Sequence, residues 1–480
     1  MSILSRRTFL KISVAGGATL PLVTIAGTKS SGKVIGANDK IRIAVVGLRG
    51  RGKSHYSSYA NIDGVEVSHL VDIDSTQFGP AKERLVAAGA PEPQCVQDVR
   101  RVLDDPNVDA ISIATCNHTH SLYTIWGCQA GKDVYVEKPI SHNVFEGRQC
   151  VEAARKYGSV VQHGTQQRSS QERANEIAAV QSGDYGKLLV SKGYCCKPRW
   201  SIGNKSVETP PNHIDFNLWL GPASNQPYHA NLVHYNWHWF WDFGNGDTGN
   251  QGVHEMDVAR WAIPGATLPT RVWSLGGRFG YEDQGQTPNT QLSVYEYGDV
   301  LLVFETRGLV GKHDGFSKVV QNEYYTTEGM IKKGLFHPAG GGEAIPVEGG
   351  NPRQVTPGKE FGSFIAAMRS RRPEDRNADA ETAHYSAALC HLGNISYRLG
   401  KPAPFNSHSQ ALGDNKQVIE SLQTIQENCK AVGMELTDAT YQLGKPLEID
   451  PQTETIVGDD EANLMMTRQY RKPFEVPQDV

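Results

Sequence analysis

The chain has 480 residues, 39% of them hydrophobic and 21% charged, and its formal net charge is −4. Such a composition is typical of a globular protein, and the length predicts two domains because one small core cannot serve so long a chain. Acidic and basic residues are mixed, which argues against nucleic acid as a partner, and the eight cysteines form no C-x-x-C pair, so neither a metal site nor a disulfide framework is expected.

Residues 1–39 are interpreted as an export signal and a linker. The stretch SRRTFLK precedes an apolar segment, residues 12–27, that is too short and too interrupted by glycine and proline to span a membrane. The pattern resembles a twin-arginine signal, and the alternative is a disordered basic tail. The first interpretation makes the twin-arginine export machinery a partner and places the protein in the periplasm or elsewhere outside the cytoplasm.

Residues 40–164 alternate between short apolar runs and helix-like stretches. The strand-like runs are IRIAVVG, VEVSHLVDID, DAISIAT, DVYVEKP and SVVQHG. Apolar runs that end at glycine or a polar residue are typical of buried parallel strands. The segment therefore predicts an α/β fold that begins with a doubly wound parallel sheet, the Rossmann arrangement.

Residues 165–433 predict a second, α+β domain. Period-two alternation in KLLVSKGYCC, TRVWSLGGRFG, TQLSVYEYGDVLLVFETRG and NEYYTTEGMIKKG indicates a mostly antiparallel open sheet with one face covered. Three helix-like stretches follow, beginning near residues 359, 380 and 415. The polar, turn-rich residues 434–480 are expected to form a tail that wraps the domains.

The stretch VVGLRGRG follows the first predicted strand and opens a helix. A dinucleotide pyrophosphate binds at such a place, on free N–H groups at the positive end of the helix dipole. Gly47 and Gly52 hold the first and last positions of the usual G-x-G-x-x-G spacing, whereas Arg49 occupies the middle one. We expect Gly50 to allow close approach of the phosphates, and the guanidinium of Arg49 or Arg51 to pair with a phosphate oxygen.

An acidic residue ends the second predicted strand. Asp72 lies 20 residues after Gly52, where a carboxylate accepts hydrogen bonds from the ribose hydroxyls. Because that carboxylate repels a 2′-phosphate, the sequence favours NAD over NADP as cofactor. Arg51 leaves a residual case for NADP.

Two polar motifs follow the next predicted strands, ISIATCNHTH and VYVEKP. With the glycine loop, they make the sequence resemble the glucose–fructose oxidoreductase / inositol dehydrogenase (Gfo/Idh/MocA) family. The resemblance implies that Lys138 contacts the reacting hydroxyl and the cofactor, with Glu137 shaping its loop. The alternative for Lys138 is a surface ion pair with Glu137. The resemblance also places Thr115, Asn117 and His120 beside the cofactor, although an isolated histidine is often a packing residue.

The stretch GNGDTGNQGVHEMDVARW resembles the family's second catalytic motif. His254 matches its histidine, whose ordinary pKa near neutrality suits a general base. Asn250 stands where the family often has aspartate, so either the ring is less basic or Asp247 or Asp257 takes the aspartate's place. The alternative for His254 is a helix-cap or core residue.

The stretch HYNWHWFWDFG is the densest aromatic part of the chain. On a strand, its three indoles would share one face. Tyr235 and His238 are candidates for binding sugar hydroxyls, and Asn250 is grouped with them, whereas the tryptophans fit a core at least as well. Arg168 either reaches the cleft or ties the domains together.

These residues predict an exported NAD-dependent oxidoreductase acting on a carbohydrate or cyclitol hydroxyl, forming a homo-oligomer (dimer or tetramer). Free NAD is scarce outside the cytoplasm, so we expect a tightly bound cofactor that is recycled within each turnover. The alternatives are an NAD-dependent glycosidase or lyase that works through a transient keto-sugar, and a non-catalytic sugar-binding protein.

Overall fold

The structure is a computed structural model that describes residues 40–312, 315–405 and 413–480. The predicted export signal lies outside the described residues. Within these three ranges, no helix combines the length and apolar character needed to cross a membrane.

Six parallel strands form the first sheet. They are β1 (Ile41–Val46), β2 (Val65–Val71), β3 (Gln94–Val96), β4 (Ala110–Ile113), β5 (Asp133–Val136) and β6 (Val161–His163). Their order is β3-β2-β1-β4-β5-β6, and every residue of β4 and β5 is buried, as expected for strands covered on both faces. The predicted doubly wound sheet is confirmed. Its strand order reverses between β1 and β4, which is where ligands bind in such sheets.

Five helices flank this sheet: α1 (Gly52–Tyr59), α2 (Phe78–Ala87), α3 (Arg100–Leu103), α4 (Asn117–Gln129) and α5 (Val144–Tyr157). Helix α5 has both of its boundaries set locally. The Asn143 side chain accepts from the Glu146 N–H at the start, and Gly158 adopts a φ of 62° at the end. Helix α4 is buried along nearly its whole length because later parts of the chain cover it.

The second sheet has twelve strands and is mixed but mostly antiparallel. They are β7 (Leu188–Cys196), β8 (Arg271–Gly277), β9 (Thr290–Tyr297), β10 (Val300–Arg307), β11 (Val319–Thr326), β12 (Gly329–Lys332), β13 (Leu335–Pro338), β14 (Ile345–Pro346), β15 (Lys401–Pro404), β16 (Thr440–Leu443), β17 (Leu447–Asp450) and β18 (Thr455–Ile456). The main path is β14-β13-β12-β11-β7-β10-β9-β8-β16-β15. Among the described strands of this second sheet, only the β7–β10 pair is parallel. The mostly antiparallel sheet agrees with the α+β class predicted for the second domain.

Seven further helices complete the described chain. They are α6 (Gln171–Ser182), α7 (Phe216–Leu220), α8 (Val253–Trp261), α9 (Lys359–Ser370), α10 (Ala380–Arg398), α11 (Lys416–Ala431) and α12 (Asp460–Leu464). Helices α8 and α10 cover one face of the second sheet, whereas α9 returns to pack on the first. The expectation of a single covered face is incomplete. Val418, Leu422 and Ile425 of α11 pack on the other face, against residues such as Trp273 and Val294.

The aromatic stretch is not a strand, contrary to prediction. Residues Asn236–Trp239 form a 3-10 turn, in which the Trp237 indole N–H donates to the His234 carbonyl at 2.9 Å. Trp237 joins a local apolar cluster, whereas Trp239 packs against the Arg199 guanidinium and Trp241 against that of Arg398. The indoles therefore face different surroundings, because a tight turn does not preserve the two-residue period of a strand.

Residues 213–243, here called the roof segment, cross above the carboxyl ends of the first sheet. The segment has a small core of its own that includes Trp219, Leu232 and Phe243. It is joined to the first sheet through the Ser75 N–H, which donates to the His213 carbonyl at 3.0 Å, and through the Asp215 N–H, which donates to the Ile73 carbonyl at 2.9 Å.

Candidate functional site

A cavity of about 760 Å³ lies between the roof segment and the carboxyl ends of the first sheet. Most of the residues predicted to form the site line it. They are Gly47, Arg49, Gly50, Arg51, Asp72, Thr115, Asn117, His120, Glu137, Lys138, Tyr235, His238, Asn250 and His254. Gly52 and Arg168 are not in its lining.

The glycine loop forms a cradle that only glycine can build. Gly47 has a φ of 86°, and a Cβ on it would lie 2.6 Å from the Ala114 carbonyl oxygen. A Cβ on Gly52 would lie 1.9 Å from the Gly47 carbonyl oxygen, so its role is to let α1 start against the loop. The cradle fits a dinucleotide pyrophosphate, because Gly47 and Gly50 let the loop backbone line the cavity where α1 begins, at the positive end of the helix dipole.

Asp72 stands at the end of β2, as predicted. Its carboxylate accepts hydrogen bonds from the Leu48 N–H at 2.8 Å and the Asp74 N–H at 2.9 Å. Burial raises the pKa of Asp72 to about 6 in spite of these hydrogen bonds. The group therefore ionises fully only near neutral pH, and it then presents a carboxylate to the cavity.

The two arginines of the loop have different surroundings. Arg51 donates through Nε to the Glu137 carboxylate and through a terminal nitrogen to the Glu360 carboxylate, each at 2.8 Å, so protein carboxylates already neutralise its charge. Arg49 is exposed, lines the cavity and makes no ion pair with any described residue. Of the two predicted phosphate contacts, the structure leaves this one available, and the residual case for NADP through Arg51 is weakened.

Glu137 is the centre of a buried charge network. The Arg51 guanidinium lies 2.8 Å and the His55 Nε2 3.2 Å from its Oε1. Burial alone would raise the pKa of Glu137, but the hydrogen bond from His55 and the charges of His55, Arg51 and Lys138 outweigh it and lower the pKa. Glu137, ionised at neutral pH, thus connects the nucleotide loop to the adjacent Lys138.

Lys138 and His254 face the same end of the cavity. The Lys138 ammonium donates to the Asn250 backbone carbonyl, in the π-helical turn Thr248–Gly252 that leads into α8. Burial lowers the pKa of Lys138. Burial, and then the charge of Lys138, lowers the pKa of His254 to about 3, so its imidazole is neutral and can accept a hydrogen bond.

Within the part of the chain that the structure describes, no carboxylate forms a hydrogen bond with His254 in place of the family aspartate. The Asn250 amide N–H donates to Asp247 at 3.4 Å, and the Arg199 guanidinium lies 2.7 Å from Asp247. Asp257 forms an ion pair with Arg168, whose Nε lies 2.9 Å from its carboxylate. Among the described residues, the His254 ring has no hydrogen-bond partner, which matches the less basic of the predicted arrangements.

Arg168 ties the first sheet to α8. Its guanidinium is buried, bonded to both oxygens of Asp257 at 2.9 Å, and packed 4.7 Å from the centre of the Trp261 ring. The predicted substrate contact is therefore not seen, because Arg168 binds Asp257 through its Nε and does not line the cavity. The alternative, a structural tie, describes the geometry.

Residues at the start of α4 shape the middle of the cavity. The Asn117 side-chain nitrogen is buried without a hydrogen-bond partner among the described residues, so it is open to a ligand amide or hydroxyl. The His120 ring lies between the Pro139 carbonyl at 2.7 Å and the Thr115 carbonyl at 3.1 Å. His120 thus fixes the loop after β5. Because both ring nitrogens face backbone carbonyls, only the ring surface is left for the predicted contact with the cofactor.

The roof segment supplies an aromatic wall near Lys138. The His238 ring stacks on Trp237 with centroids 3.6 Å apart, and the Tyr235 ring lies 4.6 Å from His238 on the outer side. Tyr235 is 55% exposed, which is unusual for a large aromatic side chain that lines a cavity. Such a stack offers a flat apolar surface to a sugar ring.

Sequence reasoning missed several lining or supporting residues. These are His55, Trp219, His234, Gln251 and Glu360. Gln251, beside Asn250, was within reach of the motif argument. His55 lies in α1 and contacts Glu137 and, in the first sheet, Ser112, whereas Trp219, His234 and Glu360 depend on where the roof segment and α9 fold back, which no local pattern indicates.

Two protein-family models match parts of this chain. One family model, described as "Oxidoreductase family, NAD-binding Rossmann fold", matches residues 41–165, and a second, "Oxidoreductase family, C-terminal alpha/beta domain", matches residues 181–272. Both models belong to the Gfo/Idh/MocA oxidoreductase family. The matches support the resemblance inferred from the motifs, and the first of them shows an NAD-binding Rossmann domain.

Similar proteins include a glycosyl hydrolase family 109 protein of Shewanella pealeana, 26% identical over 42% of this chain and 48% of that protein. Another is scyllo-inositol 2-dehydrogenase (NAD(+)) of Bacillus subtilis, 28% identical over 32% of this chain and 44% of that protein. The chain spans about half the length of these curated relatives.

Among solved structures, the WlbA dehydrogenase from Bordetella pertussis, in complex with NADH and UDP-GlcNAcA, shares the fold. The TM-score is 0.53 at 16% identity, over 73% of this chain and 94% of that chain.

Proposed function

We propose that this protein is an exported NAD-dependent oxidoreductase that acts on a hydroxyl group of a sugar, glycoside or cyclitol. The observation that carries the proposal is the single cavity in which Lys138 and His254 meet the nucleotide loop and Asp72. Relatives named for inositol oxidation and glycoside hydrolysis support this class of substrate.

Bound NAD would supply the hydride acceptor. The residues that fit it are the Gly47 cradle and Arg49 at the pyrophosphate, Asp72 at the ribose, and the unpartnered Asn117 amide in the middle of the cavity. The free space and the orphaned amide nitrogen are the features that a bound dinucleotide would fill.

Lys138 is placed to handle the substrate proton. Its ammonium is held at the Asn250 carbonyl, and its lowered pKa eases the exchange of a proton with a substrate hydroxyl. His254 remains neutral and accepts a hydrogen bond from the same or a neighbouring hydroxyl, which orients the substrate carbon. The Tyr235–His238–Trp237 stack would hold the apolar face of the ring.

The cofactor is proposed to stay bound and to be recycled within each turnover. Two features support this: the roof segment covers the cavity, and the sequence begins with a twin-arginine-like stretch. A protein that folds before export can carry its cofactor with it, and a cofactor that cannot be exchanged outside must be returned to its starting state by the same site.

A second candidate is an NAD-dependent glycosidase that works through a transient keto-sugar. The glycosyl hydrolase family 109 relative favours it. In such a cycle a hydroxyl would be oxidised to a ketone, the glycosidic group would be eliminated, and water would add to the double bond that elimination leaves. The ketone would then be reduced by the hydride taken up in the first step, so that the glycoside is hydrolysed with no net change in NAD.

The test begins with cofactor content. The purified protein is denatured, and the released nicotinamide cofactor and its redox state are measured by chromatography. We expect about one NAD(H) per chain. The loaded protein is then given cyclitols, free sugars and glycosides, while the absorbance of bound NADH and the cleavage products are followed. Lys138→Met should keep the cofactor and lose turnover, and Lys53→Met, an exposed lysine on α1, serves as the control. A protein that is empty and fails to bind added NAD or NADP would overturn the proposal.

A further inference from the structure

Arg471, in the C-terminal tail, binds the roof segment at α7. Its guanidinium donates to the Asn217 carbonyl at 2.7 Å, to the Asn217 side-chain oxygen at 2.6 Å and to the Gly221 carbonyl at 3.0 Å. Its backbone N–H donates to the Pro222 carbonyl at 3.3 Å. Arg471 alone therefore forms hydrogen bonds to residues at both the start and the end of α7.

Helix α7 forms a wall of the cavity. Leu218 and Trp219 line the cavity, as do Asp72 and Ile73 from the first sheet. The Trp219 carbonyl also lies 2.8 Å from the His118 Nε2, so α7 is held from the α4 side as well. A helix of five residues is not stable on its own, and its position depends on these contacts.

The tail is anchored on the opposite side in the first domain. Phe474 is 2% exposed and belongs to the apolar cluster that contains Val99 and Leu122. Its ring also lies 4.7 Å from the Arg471 guanidinium, and its N–H donates to the Arg471 carbonyl at 2.8 Å. The buried ring thus fixes Arg471 in place, and through it α7.

The tail also reaches the far end of the roof segment. The Arg468 guanidinium donates to the Asp242 carbonyl at 2.9 Å and lies 3.2 Å from the His142 Nδ1, in the loop after β5. Residues 468–474 therefore join both ends of the roof segment to the domain below it.

We propose that Arg471 is a positioning residue that holds α7 over the bound cofactor, so that the tail contact determines how slowly NAD leaves. The inference rests on the proposed function only for the place of NAD in the cavity. Arg471 itself lines no part of the cavity and contacts neither Lys138 nor His254. Its loss should release the cofactor without altering the chemistry of a loaded site.

The direct test is the dissociation rate of NADH from the full chain. Protein loaded with NADH is mixed with excess NAD, and the loss of bound-NADH fluorescence is followed by stopped flow. Arg471→Ala should speed dissociation by about tenfold or more, because several hydrogen bonds from a charged donor are lost. Turnover at saturating cofactor should be unchanged. Arg471→Lys should fall between the two, since an ammonium keeps the charge but not the forked geometry.

The matched control is Lys472→Ala, an exposed neighbouring cation. Equal dissociation rates in Arg471→Ala and the parent would overturn the proposal. Should Arg471→Ala fail to fold, Asn217→Ala, which removes only the side-chain acceptor, should give a smaller acceleration, and an unchanged rate would count against the proposal.

Amide hydrogen exchange across residues 216–222 provides a readout that needs no cofactor. Faster exchange in Arg471→Ala than in Lys472→Ala supports the positioning role, and equal exchange overturns it. A parent protein that binds no NADH would overturn the proposed function, and the exchange comparison would still decide the role of Arg471.

Discussion

The Lys138 ammonium donates a hydrogen bond to the backbone carbonyl of Asn250, which lies 112 positions later in the chain. The contact joins the loop after β5 to the turn that begins α8, and it brings together the two motifs that carry the proposed chemistry. Because the acceptor is a backbone oxygen, the role of position 250 in holding Lys138 does not depend on its being asparagine or aspartate.

Replacing Lys138 should abolish turnover while leaving the cofactor site intact. Lys138→Met keeps most of the apolar stem and removes the proton carrier, so we expect kcat to fall about 10²- to 10⁴-fold. NAD binding should change little, because Lys138 binds the Asn250 carbonyl, whereas Asp72 binds the Leu48 and Asp74 N–H groups. The measurement is single-turnover reduction of bound NAD. Full activity in Lys138→Met would contradict the assigned role.

NAD affinity should fall on the acid side of neutrality. The pKa of Asp72 is raised to about 6 by burial, and the ribose hydroxyls require its ionised form. As the pH falls through this value the carboxylate takes up a proton, and the dissociation constant of the apo protein should rise by about tenfold per pH unit below the pKa. Calorimetric titration between pH 5 and 8 measures this.

Asp72→Asn should bind NAD weakly and with little pH dependence over the same range. Asp74→Asn is the matched comparison, because Asp74 caps the turn that begins at Ser75. It should keep the loss of affinity on acidification, with the midpoint shifted slightly to lower pH, because the Asp74 charge helps to raise the pKa of Asp72. A parent protein whose affinity is flat between pH 5 and 8 would rule out Asp72 as the ribose ligand.

Gly47→Ala should weaken NAD binding, an effect beyond the loss of stability that a side chain at a positive φ causes. Gly47→Ala places a Cβ 2.6 Å from the Ala114 carbonyl oxygen at a φ of 86°. Gly298→Ala, in the β9–β10 turn, has a φ of 63° with open space around the new Cβ. Both should lose about 1 kcal/mol of unfolding free energy from the positive φ. Only Gly47→Ala should also weaken NAD binding by tenfold or more, as measured by fluorescence titration.

Substitution of Arg49 should change NAD affinity, whereas substitution of Arg51 should change the free energy of unfolding. Arg49→Ala removes an exposed cation at the phosphate position, so NAD affinity should fall and lose part of its salt dependence, with unfolding unchanged. Arg51→Ala leaves Glu137 buried with His55 as its remaining close partner, and should lower the unfolding free energy by about 2 kcal/mol.

Urea titration at two ionic strengths, paired with NAD titration, distinguishes the two variants. The stability provided by Glu137 should be present at neutral pH and decline as the pH falls, since its folded pKa lies below the ordinary value. Arg51→Ala should therefore lose less stability on acidification than the parent. The reverse assignment, with Arg49 stabilising and Arg51 binding NAD, would contradict the geometry.

The sequence by itself determined the class of both sheets and the positions of the nucleotide loop, Asp72, Lys138 and His254. These features are local: a buried parallel strand is a continuous apolar run, and a residue that ends such a strand must lie at the ligand-binding edge of the sheet. Gly47 illustrates the same point, because its positive φ and close backbone contact exclude every other residue.

Only the tertiary structure decided which partner each charged or aromatic group takes. Arg51 meets Glu360 across 309 positions, and Arg168 meets Asp257 instead of the cavity. Neither contact has a periodic signal, because each depends on where an irregular segment returns to the first domain. The roof segment is the clearest case: its aromatic residues suggested a strand, whereas burial of a local core and hydrogen bonds to Ile73 and Ser75 folded it over the site.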